Sequence, residues 1–141
     1  MCMDGKGVAL RLFEEAFNRG NLDVIGELVH PDLVYHYPDG DIEGLEGARQ
    51  LVIAMRSDFP DFHVTTEDVL AEGDKVVVRF TDSGTYEGGE FGTAATGKRV
   101  TWTGVDIFRI ADGKIIEGWG VGDMLGLMRQ LGVYPQGDGA S

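Results

Sequence analysis

Residues Gly104 to Gly132, GVDIFRIADGKIIEGWGVGDMLGLMRQLG, decide how this chain is read. Apolar residues alternate with others as far as Ile110, Ala111-Asp112-Gly113 interrupts, and the period of two resumes from Lys114 to Val121. From Met124 the spacing changes to that of a helix, through Leu125, Leu127, Met128 and Leu131. The stretch is therefore a hairpin followed by a helix, and Asp123 stands where an N-cap belongs. Read as a three-residue loop with glycine in the left-handed position, the turn pairs Ile110 with Lys114. Asp106 then faces Gly118, and Gly104 faces Gly120.

Working outward, the same period of two continues N-terminally. Strands are expected at Phe62 to Ala71, Lys75 to Tyr86, Lys98 to Ile110 and Lys114 to Val121. Before Pro60 the period is helical. Val8, Leu12, Phe13, Ala16 and Phe17 mark a helix from Gly7 to Arg19 that ends at Gly20. Asn21 can cap a second helix, Leu22 to Val29, with His30-Pro31 as a corner. Leu33 to Tyr37 reads as a short strand ending at the turn Pro38-Asp39-Gly40. Leu45 to Phe59 reads as a third helix. Helices first and a strand meander after them give an α+β domain, with the helices covering one face of a curved antiparallel sheet. Such a cone encloses an apolar pocket.

The 141 residues, 43% hydrophobic, suffice for one domain with a real core, and the tail Pro135 to Ser141 reads as flexible. No run of about eighteen apolar residues exists, and Met1-Cys2-Met3-Asp4-Gly5-Lys6 lacks the pattern of a signal peptide. A cytoplasmic protein is expected. A single cysteine, Cys2, rules out an internal disulfide. With 24 acidic against 12 basic residues and a net charge of −12, nucleic acid and anionic membrane are poor partners.

Parity assigns the faces. On Lys98 to Ile110, Trp102, Gly104, Asp106, Phe108 and Ile110 point inward. On Lys75 to Tyr86, Val76, Val78, Phe80 and Tyr86 do. The inward row of the last strand is Ile116, Gly118 and Gly120, nearly bare, which suits either close backbone packing or a ligand beside a carboxylate.

These residues resemble the SnoaL-like polyketide cyclases, a branch of the NTF2-like α+β cone proteins. The resemblance covers nearly the whole chain. It rests on Glu15-Ala16-Phe17-Asn18-Arg19-Gly20 with His30-Pro31, Phe59-Pro60-Asp61, Gly84-Thr85 with Thr96-Gly97-Lys98-Arg99, Asp112-Gly113-Lys114-Ile115, and Met128-Arg129-Gln130-Leu131-Gly132. It implies a homodimer, no metal, no organic cofactor and an apolar small-molecule ligand. Anthracycline cyclases of the family close a ring by intramolecular aldol condensation with one aspartate as general acid/base. That aspartate corresponds to Gly120, a pocket histidine to Asp106, and a tyrosine and an asparagine that influence stereochemistry to Phe17 and Leu51. Relatives also carry Glu-His-Trp at Glu117-Gly118-Trp119 and a proline pair at Ala94-Ala95.

Asp106 is the leading catalytic candidate, because the expected neighbours Trp102, Phe108 and Tyr86 would desolvate it and raise its pKa toward neutrality. The alternative is a structural aspartate held by a buried tyrosine or a backbone amide. His36, between Tyr35 and Tyr37, is expected at the cavity mouth as its partner, against the plainer reading of a satisfied structural histidine. The expected pocket lining is Phe17, Leu51, Phe80, Tyr86, Trp102, Phe108, Gly118 and Gly120. Asp123 reads as a cap, and Glu117 and Trp119 fall on the outward face, unless a bulge shifts the parity. The acidic loop Glu87-Gly88-Gly89-Glu90 reads as solvated. His30, His36 and His63 have no metal-binding spacing. The expected function is cofactor-free acid/base cyclisation or isomerisation of a polyketide-like or cyclic carbonyl compound. The rivals are a non-catalytic binding module and an epoxide-opening or hydroxylase-type enzyme. Epoxide opening would require a second inward acid and a cation beside Asp106.

Overall fold

The computed structural model describes residues 4–88 and 96–133. Ala94-Ala95, the tail from Pro135, Cys2 and the second half of the Glu87 to Glu90 loop lie outside the described residues.

Helix α1 (Gly5–Arg11) begins two residues before its expected start because the Asp4 side chain caps it, accepting from the Gly7 amide at 2.8 Å. It continues as a wider π-helical segment, Leu12–Asn18, and the chain turns at Gly20, whose φ of 72° is in the left-handed region. Asn18 ties this layer to the sheet. Its side-chain amide donates to the Val64 carbonyl at 3.0 Å and accepts from the Val64 amide at 2.7 Å. Helix α2 (Asp23–Leu28) follows, and Asn21 accepts from the Asp23 amide.

Strand β1 (Val29–Tyr37) begins earlier than the expected Leu33. His30-Pro31 is not a corner before it but part of it, in a stretch where its pairing slips between Val29 and Val34. Proline is tolerated at such an irregularity because no ladder donor is needed there. Pro38 and Asp39 turn the chain into β2 (Gly40–Glu43), a strand missed in the sequence because four mostly exposed residues carry no apolar alternation. Helix α3 (Gly44–Asp58) then crosses the sheet, and its Arg56 donates to the Phe17 and Asn18 carbonyls at 2.8 and 2.9 Å, satisfying the end of the π segment.

The meander β3 (His63–Glu72), β4 (Lys75–Thr85), β5 (Arg99–Ala111) and β6 (Lys114–Gly122) lies close to the expected bounds. The sheet order is β2-β1-β6-β5-β4-β3. The sheet is mixed rather than antiparallel throughout, because β1 docks parallel to β6. Periodicity locates a strand, but it says nothing of its partner.

The β5–β6 register also differs from the expected one. Asp112 and Gly113 both have positive φ, 54° and 75°, so the turn is a two-residue one that pairs Ala111 with Lys114. Ile110 then pairs with Ile115 and Arg109 with Glu117, leaving Ile116 as the extra residue of a β-bulge. Ile115, not Ile116, points inward, while the faces beyond the bulge are as expected. Asp106 therefore faces Gly120, Phe108 faces Gly118 and Gly104 faces Gly122. Helix α4 (Met124–Leu131) is capped by Asp123, which accepts from Gly126 at 2.9 Å.

Candidate active site

Between the helices and the inner face of the sheet lies a cavity of about 50 Å³. Leu12, Phe13 and Phe17 of the π segment, Leu51 and Val52 of α3, and Tyr35, Tyr37, Asp106 and Phe108 of the sheet are in its wall. That volume holds a few waters, whereas a benzene-sized void is about 150 Å³. A ring-bearing ligand enters only if the wall draws back; Phe17 and Leu51 are half-buried parts of that wall.

Asp106 sits on the inner row of β5 and is 8% exposed. Its hydrogen-bond partner is Tyr35, whose hydroxyl donates to Oδ1. Burial pushes the Asp106 carboxyl up to about 7, and the Tyr35 hydrogen bond partly opposes that rise. Burial, reinforced by the adjacent carboxylate, holds the Tyr35 phenol well above its ordinary value. Burial thus favours the protonated form of this carboxyl well above the usual carboxylate range.

The glycines of β6 explain how Tyr35 arrives there. A Cβ on Gly118 would stand 2.7 Å from the Tyr35 ring, and one on Gly120 would stand 2.5 Å from the Tyr35 hydroxyl and 2.6 Å from Asp106 Oδ1. Side chains at either position would block the path, since real contacts to Cβ are longer. The bare row of β6 is therefore a track across which the Tyr35 ring reaches from β1 to β5. Tyr37 packs beside it at 4.6 Å between centroids. The space made by the glycines is filled by this protein's own side chains: Tyr35 over Gly118 and Gly120, and Phe80 over Gly104.

Several expected positions differ. Trp102 and Tyr86 pack around Phe59, at 5.0 and 5.5 Å, and neither is in the wall of the cavity that Asp106 lines. Phe80 packs on Phe13 at 5.6 Å, and Gly118 and Gly120 lie beneath the Tyr35 ring rather than on open space. Phe17, Leu51 and Phe108 are in the cavity wall. His36 is not the partner of Asp106. Strand alternation puts Tyr35 and Tyr37 inside and His36 outside, where its ring nitrogens meet Asp41 at 3.0 Å and Glu117 at 2.9 Å and its ring stacks on Trp119. Those hydrogen bonds, to Glu117 first and Asp41 second, raise the His36 pKa. Glu117 is held below its ordinary value by His36 and then by Arg109.

Two inward-facing polar residues were overlooked in the sequence. Parity applied to Leu33 to Tyr37 with the aromatic face inward gives Tyr35, and the inward row of β4 already contains Asp82. Asp82 is 6% exposed, and burial followed by repulsion from Asp106 pushes its carboxyl up to about 8. It supplies a second inward acid. The cation that epoxide opening would also need is not among the described residues facing the cavity, for Arg79 and Arg109 turn outward to Asp68 and Glu117. Among the described residues no group of three or more His, Cys, Asp or Glu side chains could hold a metal. No described helix is long and apolar enough to cross a membrane.

Helices laid over a curved mixed sheet, around a cavity with one acid at its floor, define an α+β cone of the NTF2-like type. A family model for SnoaL-like polyketide cyclases matches residues 7–131, and the chain belongs to that family. Nogalonic acid methyl ester cyclase of Streptomyces nogalater is 33% identical over 131 residues, covering 88% of this chain and 96% of that protein. Aklanonic acid methyl ester cyclase DnrD of Streptomyces peucetius is 30% identical over 129 residues, covering 87% and 88%. Among solved structures, TsrD from Streptomyces laurentii superposes with a TM-score of 0.80 at 34% identity, over 93% of this chain and 99% of that one.

Proposed function

We propose that this protein is a cofactor-independent acid/base catalyst that closes or isomerises a ring in a polyketide-like or other cyclic carbonyl compound, with Asp106 moving the proton. The observation that carries this reading is the Asp106 carboxyl in the cavity wall, held by the Tyr35 hydroxyl, where burial pushes its pKa up to about 7. The relatives named as methyl ester cyclases support the reaction class. In the resemblance the acid corresponds to Gly120. Here the residue directly across the strand pair from Gly120 is Asp106, so a carboxyl is offered to the cavity from the neighbouring strand.

The chemistry follows from the geometry. Asp106 takes a proton from carbon beside a carbonyl, the C–H electrons form an enolate, and attack on a second carbonyl forms the new C–C bond. The proton on Asp106 then passes to the resulting alkoxide. Tyr35 holds the carboxyl in place and stabilises its charge. A positioned base of this kind contributes about 10² to 10⁴-fold, enough for an already activated carbon acid. The test uses methyl acetoacetate in heavy water, with proton NMR following loss of its central methylene signal. The protein is expected to accelerate the exchange, and Asp106→Asn to remove the acceleration. Stabilisation by the ligand with no acceleration in the wild type would favour the binding-module reading instead.

A homodimer and a cytoplasmic location belong to the same reading. Val105, Ile107, Trp119 and Val121 form a shallow apolar groove on the outer face of the sheet, suited to a second copy. Light scattering would report a dimer that Val121→Lys dissociates, and a monomeric wild type would reject it.

A further inference from the structure

We infer that the Tyr37 hydroxyl is the electrophile of this site, donating a hydrogen bond to the substrate's carbonyl oxygen while Asp106 removes the proton at the neighbouring carbon. The inference rests on the acid/base reading above and supplies the group which that reading leaves out.

An enolate forms readily only where a donor receives the charge that collects on oxygen, and in a closed cavity the wall must provide it. Among the described residues of this wall, only Tyr35, Tyr37 and Asp106 have polar side chains. Asp106 is the base, and an ionised carboxylate only accepts. The Tyr35 hydroxyl has one proton and gives it to Asp106 Oδ1. Among the described residues of the wall, the O–H left for a ligand is therefore that of Tyr37.

The strand brings it to the right place. Tyr35 and Tyr37 are two residues apart on β1, so both side chains leave the same face of the sheet, about 6.6 Å apart at the backbone. Their rings close to 4.6 Å between centroids with 34° between the planes, so the two lean together. The Tyr37 hydroxyl consequently neighbours the one that bonds Asp106. Tyr37 pairs with Gly40 across the tight Pro38-Asp39 turn, which fixes its backbone. It is half-buried where Tyr35 is buried, so it is the tyrosine a ligand reaches. Burial first, then the Asp106 charge, raises its phenol, so the hydroxyl keeps its proton and remains a donor through neutrality.

The step balances within the site. The Asp106 carboxylate takes the C–H proton, the C–H electrons form the C=C bond, and the carbonyl π pair moves onto oxygen. The Tyr37 O–H bond stays intact, and its hydrogen bond to that oxygen strengthens as the charge grows. Return of a proton from Asp106 to carbon reverses the movement, and no outside reagent is consumed. The substrate presents its acidic C–H and the adjacent carbonyl oxygen to the same end of the cavity, where Asp106 takes the first and Tyr37 the second.

Two measurements on the full chain with methyl acetoacetate test the assignment. In heavy water, Tyr37→Phe is expected to lower kcat for exchange by about 10²-fold with KM within about threefold, the loss expected for one donor to a developing oxyanion. Carboxyl-carbon NMR is expected to find the Asp106 titration nearly in place in that variant. Exchange equal to wild type in folded Tyr37→Phe, with Asp106→Asn inactive, overturns the inference and leaves the acid/base reading standing. A rate loss accompanied by a large movement of the Asp106 curve also overturns it, because Tyr37 would then act through Tyr35. The second measurement serves even if the variant does not fold. Infrared difference spectra of substrate isotope-labelled at the ketone carbon are expected to show, in the wild type, a bound ketone band below its position in an apolar solvent. In Tyr37→Phe that band is expected to move back up. A wild-type band at the apolar-solvent position denies the hydrogen bond outright. A lowered band in a wild type that accelerates no exchange rejects Asp106 as the base and keeps the Tyr37 contact.

Discussion

The two faces of the sheet formed by β1, β4, β5 and β6 carry the same kinds of residue in opposite states. Inside, Asp106 meets Tyr35 and Asp82 shares its field, with no described cation turned toward them, and both carboxyls rise toward neutrality. Outside, Glu117 meets His36 at 2.9 Å and Arg109 at 3.1 Å and is held low. Adjacent strand positions differ only in which way the side chain points. A one-residue step in parity thus separates an acid that can carry a proton from one that anchors a surface ion network.

The sharpest way to break that contrast is through rate. Asp106→Asn is expected to lower methyl acetoacetate exchange by about 10² to 10⁴-fold, while Glu117→Gln, on the other face, leaves it within about twofold. Equal losses in the two variants would erase the distinction.

Stability against pH comes next. Asp82 titrates from 3.8 unfolded to about 8 folded, so the folded state binds more protons in that window and its stability falls as pH rises through it, levelling above about 8. Asp82→Asn should remove its share of the decline and leave that of Asp106, whose carboxyl is raised in the same direction, stabilising the protein by on the order of a few kcal/mol at the alkaline end and little near the acid end. Chemical denaturation across the pH range reads this, and parallel curves for the two proteins would contradict it.

Tyr35→Phe sharpens the inner half further. Its hydroxyl lowers the Asp106 pKa, so removing it should move the carboxyl above about 7, by about one to two units. A downward movement in the NMR titration would show that the bond favours the protonated acid.

The smallest effect lies outside. Glu117→Gln should lower the His36 pKa, because Glu117 is the largest cause of its rise. As this pair is half-buried and screened by solvent, stability should change little. Proton NMR of the His36 ring reads the first part, and an unmoved resonance would deny the contact.

Much of this fold was legible because the apolar period switches cleanly from helical to two after Pro60, and because Asp123 and Gly20 carry explicit end signals. Three features were not. The parallel docking of β1 on β6 depends on a partner about eighty residues distant. The bulge at Ile116 depends on a turn one residue shorter than Ala111-Asp112-Gly113 suggests. The polar strand Gly40–Glu43 has too few apolar residues to show a period. In the site, inward parity was enough to single out Asp106. Choosing His36 over Tyr35 favoured side-chain chemistry over alternation, and the two residues on either side of it were the ones that face the cavity.

The glycine track has a historical consequence. An aspartate introduced at position 120 would occupy the place now held by the Tyr35 hydroxyl and Asp106 Oδ1. An acid at 120 and the present contact of Tyr35 with Asp106 therefore cannot both keep these positions. A lineage passing from one to the other crosses a state in which position 120 is already glycine and position 106 does not yet hold its acid, or one in which both acids crowd the same few ångströms. A change of the acid's strand thus involves positions 35, 106 and 120 together, because the three side chains share one space.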